Sequence, residues 1–131
     1  MVGAKQTTDQ CAGALGQRLL EEYGRRGHLD EQVQRSRALY RSRCAALLAA
    51  LDTHLAGHAS WARPRGGFFT WLDVGTDAVD LAERALAAGV GVVPGPPFFP
   101  DGSGARYLRL AFSSAPEDEM GEGVRRLATL L

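Results

Sequence analysis

The segment Tyr107-Leu108-Arg109-Leu110-Ala111-Phe112 decides the fold prediction, because its residues alternate with the two-residue period of a β-strand. The side chains divide into an apolar face and a mixed face: Leu108, Leu110 and Phe112 on the first, Tyr107, Arg109 and Ala111 on the second. Such alternation predicts a strand whose apolar face is buried while the other face remains accessible. Arg109 is therefore either exposed to solvent or paired with an anion in a cleft.

Helical patterns flank this strand on both sides. Downstream, Ser114 followed by Glu117 is typical of a capping box, which predicts that the last helix begins there. Upstream, Asp77 is a predicted N-cap and Gly89 a predicted C-terminal end of a short helix. The apolar faces predicted for the two helices are Met120, Val124, Leu127 and Leu131 for the last one, and Leu81, Ala82, Ala85 and Leu86 for the upstream one.

Two further segments complete the predicted sheet. The aromatic-rich segment 68–72 follows Pro64 and a Gly-Gly pair, and it has the composition of a strand. The apolar segment 90–93 is predicted to be a short buried strand that stops where residues 94–97 read Pro-Gly-Pro-Pro. The sheet is therefore predicted to be small.

The first half of the chain is predicted to be helical. Residues 15–23 carry apolar side chains at helical spacing, and Gly24 or Gly27 would end that helix. A longer helix is predicted from about residue 29 to 55, with this apolar stripe: Leu29, Val33, Tyr40, Cys44, Leu47, Leu51 and Leu55. The predicted fold is thus α+β: N-terminal helices, one of them long, pack on a small sheet with further helices on one face.

Composition narrows the classes of function. The 131 residues carry equal numbers of acidic and basic side chains, so no net field favours DNA, RNA or an anionic membrane. No apolar run approaches the roughly 20 residues that span a bilayer. Cys11 and Cys44 lie far apart and are expected to be free thiols in a reducing compartment. We therefore expect a cytoplasmic protein with no nucleic-acid or membrane partner for this domain.

Known motifs supply no complete active site. The sequence contains no Walker-type phosphate loop, no GxGxxG after a strand and no Ser-His-Asp arrangement. His54 and His58 have the spacing of a metal-binding pair, but no Glu lies between them and Gly57 indicates that the helix is ending, so no metal site is predicted. For Arg109, spacing alone favours a solvated or salt-bridged residue, because charged side chains are usually exposed.

An ordered set of short motifs nevertheless resembles a known family. In the second half they are GGFFTW at 66–71, GVGVVPG at 89–95 followed by Phe98, LRLAFS at 108–113 and GEGVRRLA at 121–128. In the first half they are Lys5-Gln6 with Asp9, and Leu29-Asp30-Glu31 followed by Arg37, Tyr40 and Arg43. Together they resemble the C-terminal part of class I/II, fold-type I aminotransferases that depend on pyridoxal phosphate. The most similar branch contains 2-aminoadipate aminotransferases and the aminotransferase-like domains of MocR regulators.

The resemblance implies a substrate-facing α+β domain whose small sheet is mainly antiparallel. Residues 1–27 would continue from a large domain, and residues 28–131 would form the C-terminal small domain. In such enzymes the arginine of this strand holds the α-carboxylate of the amino acid substrate, which implies that role for Arg109. Phe69 would line the substrate pocket, and residues 95–98 would form a loop near the cleft.

The resemblance also implies that the catalytic residues lie elsewhere. The lysine that carries pyridoxal phosphate, the Asp on the pyridine nitrogen and the phosphate-binding residues belong to the large domain of such enzymes. The only lysine here, Lys5, matches the segment after the cofactor lysine. We therefore expect pyridoxal phosphate in the full-length parent, no cofactor held stably by this chain, no catalytic residue within it and no activity of the chain alone.

The implied function is transfer of an amino group between an amino acid and a 2-oxo acid by the parent, which is expected to be a homodimer. Two alternatives remain open. The same fold could sense a ligand in a MocR-type transcriptional regulator, or it could be a non-catalytic interaction domain that self-associates through exposed apolar surface.

Overall fold

The computed structural model describes Thr7 and residues 13–131. Two helices come first, α1 at Ala14–Arg25 and α2 at His28–His54. Gly27 lies between them with φ +82°, a left-handed conformation that glycine adopts without steric cost and that ends α1. Both helices predicted for the first half are therefore confirmed.

Strands and helices follow in the second half. In chain order they are β1 (Ser60–Trp61), β2 (Phe69–Asp73), α3 (Ala78–Ala87), β3 (Val93–Pro94), the 3-10 turns Pro96–Phe98 and Ser103–Arg106, β4 (Tyr107–Ala111) and α4 (Glu117–Ala128). The strands form one four-stranded sheet in the order β1-β2-β4-β3, and every neighbouring pair is antiparallel. The predicted α+β architecture with a small antiparallel sheet is confirmed.

The chain divides into two compact units, residues 1–38 and 39–131. The first unit contains α1, none of whose side chains is buried, and the first part of α2. The second unit contains the sheet, α3, α4 and the rest of α2. The domain boundary implied by the resemblance, between residues 27 and 28, stays a prediction.

The core of the second unit lies between one face of the sheet and three helices. The sheet and its continuations contribute Leu72, Val74, Leu108, Leu110 and Phe112. The helices contribute Leu47, Leu51 and the following Leu55 from α2, Ala78, Leu81, Ala82 and Ala85 from α3, and Met120, Val124 and Leu127 from α4. Burying each leucine contributes about 1.5–3 kcal/mol. Because Leu108 and Leu110 point into this core, Arg109 between them projects from the outer face of the sheet, as the alternation predicted.

Two predictions about strands need correction. Within segment 90–93, only Val93 pairs with β4, where it continues into Pro94, and its side chain is 39% exposed rather than buried. Val93 lies opposite Arg109, so the pleat directs both residues to the outer face. The short edge strand β1 was not predicted, because two residues carry no periodic signal.

The predicted start of the last helix is also wrong. Helix α4 begins at Glu117 after Pro116, which is the N-cap, so Ser114 lies two residues too early to cap it. Leu131 was assigned to the apolar face of this helix, but it lies beyond the end of α4 and is 39% exposed.

Some leucines and valines in the predicted helical stripes are not buried. Leu86 is 69% exposed, because it follows Ala85 directly and points about 100° away from it around α3. Leu29 and Val33, at the start of the α2 stripe, are also exposed, whereas Leu47 and Leu51 are buried. In the described part of the chain, no helix combines the length and the apolarity needed to cross a membrane.

Candidate functional site

The outer face of the sheet presents Arg109 at its centre. Strand β4 lies between β2 and β3, and Arg109 pairs with Trp71 on one side and with Val93 on the other. Phe69 lies two residues before Trp71 and therefore shares this face. The register thus places an arginine among apolar and aromatic side chains.

Two aromatic rings contact the Arg109 guanidinium. Its Cζ atom lies 4.2 Å from the centre of the Phe69 ring and 4.3 Å from the centre of the Phe98 ring. A guanidinium over an aromatic face gains about 0.5–2 kcal/mol per contact, depending on how much water is excluded. The rings therefore stabilise the charge and restrict the plane in which the guanidinium lies.

Arg109 has hydrogen-bonding capacity that the described residues do not use. Its Nε atom is buried and has no hydrogen-bond partner among them, and no carboxylate of the described residues forms an ion pair with its guanidinium. A buried N–H without a partner costs about 1–3 kcal/mol. An uncompensated cation with unused donors on an accessible face is suited to bind an anion, and a guanidinium matches the two oxygens of a carboxylate.

The neighbouring arginine on the same strand region behaves differently. Arg106 donates from Nε to Oδ1 of Asp73 at 2.8 Å and from a second nitrogen to Oδ2, so its charge is compensated. The same contact lowers the pKa of the Asp73 carboxyl below its usual value, and desolvation opposes this in part. The pairing keeps Asp73 occupied, and no other described carboxylate forms an ion pair with Arg109.

A glycine-dependent loop carries Phe98 to this site. Gly95 donates its N–H to the carbonyl oxygen of Tyr107 at 2.7 Å, and a Cβ at Gly95 would lie 2.9 Å from that same oxygen. A Cβ at Gly104 would lie 2.8 Å from the carbonyl carbon of Gly95 and 2.7 Å from the ring of Phe99. The two glycines therefore allow the loop to pack directly against the start of β4. Residues 96–98 form a 3-10 turn whose last residue contacts Arg109, while the expectation that this segment lies near a substrate cleft stays a prediction.

Further aromatic rings surround the pair. Trp71 meets Phe98 and Phe99 edge-on, with ring centres 5.6 and 5.2 Å apart. Phe99 stacks on Tyr107 with ring centres 5.4 Å apart and planes inclined by 8°. Such pairs contribute about 0.5–1.5 kcal/mol each beyond their buried area. Of these four rings, Phe98 is the one that lies over the Arg109 guanidinium.

The two predicted site residues, Arg109 and Phe69, thus lie in contact, while their role in substrate binding stays a prediction. Phe98 was not predicted as a site residue, although its position in the motif after Gly95 was the available signal. Lys5 and Cys11 lie outside the described residues, and Cys44 is free and half-buried, with a pKa raised by desolvation. Within the described ranges, no three His, Cys, Asp or Glu side chains are grouped so as to hold a metal ion.

A separate cavity of about 200 Å³ lies between α4 and residues 89–92. Its walls are mainly apolar and include Val90, Met120 and Val124, with Glu119 as its charged member. Neither Arg109 nor the rings around it line this cavity, so it is not part of the candidate site.

Comparison with known proteins supports one family over the whole described sheet and its helices. A family model described as aspartate amino-transferase matches residues 9–131. The 2-aminoadipate transaminase of Thermus thermophilus is 38% identical over 100% of this chain and 33% of its own length. The crystal structure of α-aminoadipate aminotransferase from the same organism, complexed with N-(5'-phosphopyridoxyl)-L-leucine, superposes with a TM-score of 0.90 at 39% identity, covering 99% of this chain and 34% of that one.

A relative of another functional class matches the same region. An uncharacterized HTH-type transcriptional regulator of Bacillus subtilis is 29% identical over 97% of this chain and 26% of its own length. The chain thus spans about a third or less of the length of the curated relatives cited here. The family match over nearly all residues and the similarity of both sequence and structure show that this chain belongs to the aspartate aminotransferase family.

Proposed function

We propose that this chain is the substrate-binding part of a pyridoxal-phosphate-dependent aminotransferase, which transfers an amino group between an amino acid and a 2-oxo acid. The observation that carries the proposal is the Arg109 guanidinium, which contacts two aromatic rings and has no counter-ion among the described residues. Membership of the aminotransferase family supplies the reaction class.

Arg109 would bind the carboxylate that amino acids and 2-oxo acids share. Two parallel N–H···O hydrogen bonds would fix the orientation of the carboxylate as well as its position. The Phe69 ring, 41% exposed, would line the pocket beside it and exclude water. The contribution of this domain is thus binding and orientation of the substrate, which lowers the barrier by holding the reacting groups in register.

The described residues do not fit the cofactor itself. A Schiff base with pyridoxal phosphate needs a lysine, and no described residue is a lysine, since Lys5 is the only one in the sequence. The cofactor would supply the electron sink for amino-group transfer from the large domain of the parent. We expect that borohydride reduction of the chain mixed with pyridoxal phosphate leaves no stoichiometric adduct. One equivalent of covalently attached cofactor that is absent from the Lys5→Ala variant would contradict that expectation.

A domain exchange tests the proposal. The chain would replace the corresponding third of the Thermus 2-aminoadipate transaminase, and transamination of several amino acids would be followed with 2-oxoglutarate as acceptor. Arg109→Lys keeps the charge but loses the planar fork, so kcat/KM should fall about ten- to a hundredfold, the scale of a charged hydrogen-bonding pair. Arg125→Lys, on the surface of α4 and paired with Glu122, is the matched control and should keep full activity. Equal activity of both variants would contradict the role of Arg109.

The regulator similarity keeps ligand sensing as an alternative. In that case the same carboxylate site would bind an amino acid without turnover, and a DNA-binding region would belong to the same gene. Sequencing the gene upstream of the codon for Met1 discriminates the two, because a winged-helix region would favour the regulator. For either parent, we propose a cytoplasmic protein that forms homodimers, which sedimentation analysis of the complete gene product would test.

A further inference from the structure

We infer that Phe98 is a positioning residue for Arg109: with Phe69 it fixes the plane of the guanidinium and thereby the direction from which a carboxylate can bind. The inference deepens the proposed function, on which its consequence for ligands rests. The centres of both rings lie within 4.3 Å of the Cζ atom, so the ring contacts limit the orientations that the guanidinium can take. Its Nε atom is buried, so a planar carboxylate would bind the terminal N–H groups, whose direction that orientation sets.

Phe98 contributes little to the core. Its side chain is 41% exposed and it is absent from the hydrophobic core, whereas Phe112 is 2% exposed and lies within it. The Phe98 ring contacts the Trp71 ring and the Arg109 guanidinium. Its defined position on the outer face is therefore better explained by these contacts than by burial.

Backbone geometry ties Phe98 to the strand that carries Arg109. Phe98 ends the 3-10 turn and donates its N–H to the carbonyl oxygen of Gly95 at 2.9 Å. Gly95 in turn donates to the carbonyl oxygen of Tyr107, the first residue of β4. Pro96 and Pro97 restrict φ within the turn. Two consecutive hydrogen bonds and two prolines thus connect Phe98 to β4 and restrict the position of its ring relative to Arg109.

Aromatic contact is the main restraint on this guanidinium within the described residues. Arg106 is oriented by its ion pair with Asp73, but Arg109 has no such partner there. Removing one ring would free the side chain to change rotamer and would admit water to one face. We therefore expect loss of Phe98 to weaken carboxylate binding without unfolding the domain.

The Nε–H group of Arg109 is a direct reporter of this restraint. It is buried and lies beside two rings, so in NMR spectra of the ¹⁵N-labelled 131-residue chain its signal should be displaced by ring currents and exchange slowly with water. In Phe98→Leu the signal should move toward that of an ordinary arginine and exchange faster. The affinity for formate, the smallest carboxylate probe, should fall about fivefold, the scale of one cation–π contact.

Matched variants separate positioning from general packing. Phe99→Leu removes the neighbouring ring, which contacts Trp71 and Tyr107, and should leave the Arg109 signal unchanged. Phe98→Tyr keeps a ring over the guanidinium and should restore both signal and affinity. Phe98→Met, flexible and apolar, is a second ringless variant should Phe98→Leu fail to fold, and it should reproduce the loss.

The outcomes are distinguishable from failure of the proposed function. The inference is overturned when the ringless variants keep the wild-type Nε signal and formate affinity, or when Phe99→Leu changes them equally. If wild-type protein shows no response to formate while the Nε signal still depends on the Phe98 ring, the positioning role stands and the carboxylate-binding function fails.

Discussion

Replacing Gly104 by alanine should displace the loop that carries Phe98. The added Cβ would lie 2.8 Å from the carbonyl carbon and 2.9 Å from the carbonyl oxygen of Gly95, and 2.7 Å from Cδ2 of Phe99. The ring could rotate away, but the Gly95 backbone is fixed by its hydrogen bond to Tyr107. Overpacking of this kind costs about 1–3 kcal/mol. The 3-10 turn Pro96–Phe98 should therefore shift, and the distance between the Phe98 ring and the Arg109 guanidinium should increase.

Urea unfolding measures the cost. Gly104→Ala should lower the midpoint at an unchanged m-value, and the Arg109 Nε signal should shift in the folded state. Gly91→Ala is the matched control, because no heavy atom lies within 4 Å of its Cβ and its backbone is not left-handed, so its stability should stay within about 0.5 kcal/mol of wild type. An unchanged midpoint and an unchanged Arg109 signal in Gly104→Ala would refute the close-packing argument.

Three further predictions concern the domain as a whole. Leu51→Ala should lower the free energy of unfolding by about 2–5 kcal/mol because Leu51 is fully buried, whereas Leu86→Ala, at a 69% exposed position, should change it little; equal urea midpoints would contradict this. Asp77→Ala should cost about 1 kcal/mol, since its carboxylate caps the first turn of α3, and thermal unfolding would show it. Because pairing with Arg106 lowers the pKa of Asp73, the pair stabilises the fold above the ordinary carboxyl pKa, and this stabilisation is lost as pH falls through the folded-state pKa. In Asp73→Asn the free energy of unfolding should therefore decrease less steeply as the pH is lowered through the acidic range, which urea unfolding at several pH values would measure.

Periodicity predicted the strand of Arg109 well because the strand has one buried and one open face. The leucines on either side of Arg109 are buried in the core, and the alternation of side chains along the strand therefore directs Arg109 to the opposite face. The same reasoning failed for Val93, since at a short edge strand pairing rather than apolar content decides which way the side chain points. The capping-box prediction for Ser114 failed for another reason. Ser114 and Glu117 have the spacing of a capping box, but Pro116 lies between them and the helix begins only after it.

The candidate site was predictable only in part. Resemblance to a family pointed to Arg109 and Phe69, but alternation alone favoured a solvated arginine. The second ring, Phe98, comes from a loop whose path depends on the close approach of Gly95 and Gly104. Such tertiary contacts produce no periodic pattern in the sequence, so the second ring contact of the guanidinium could be found only from the structure.

The most direct test of the central claim is calorimetric binding of 2-oxoglutarate to the 131-residue chain and to its Arg109→Lys and Arg125→Lys variants. The account predicts that wild type and Arg125→Lys bind one equivalent with the same affinity, and that Arg109→Lys binds about tenfold or more weakly because the planar fork is lost. Equal affinity of Arg109→Lys and wild type would contradict the assignment of Arg109 as the carboxylate-binding residue.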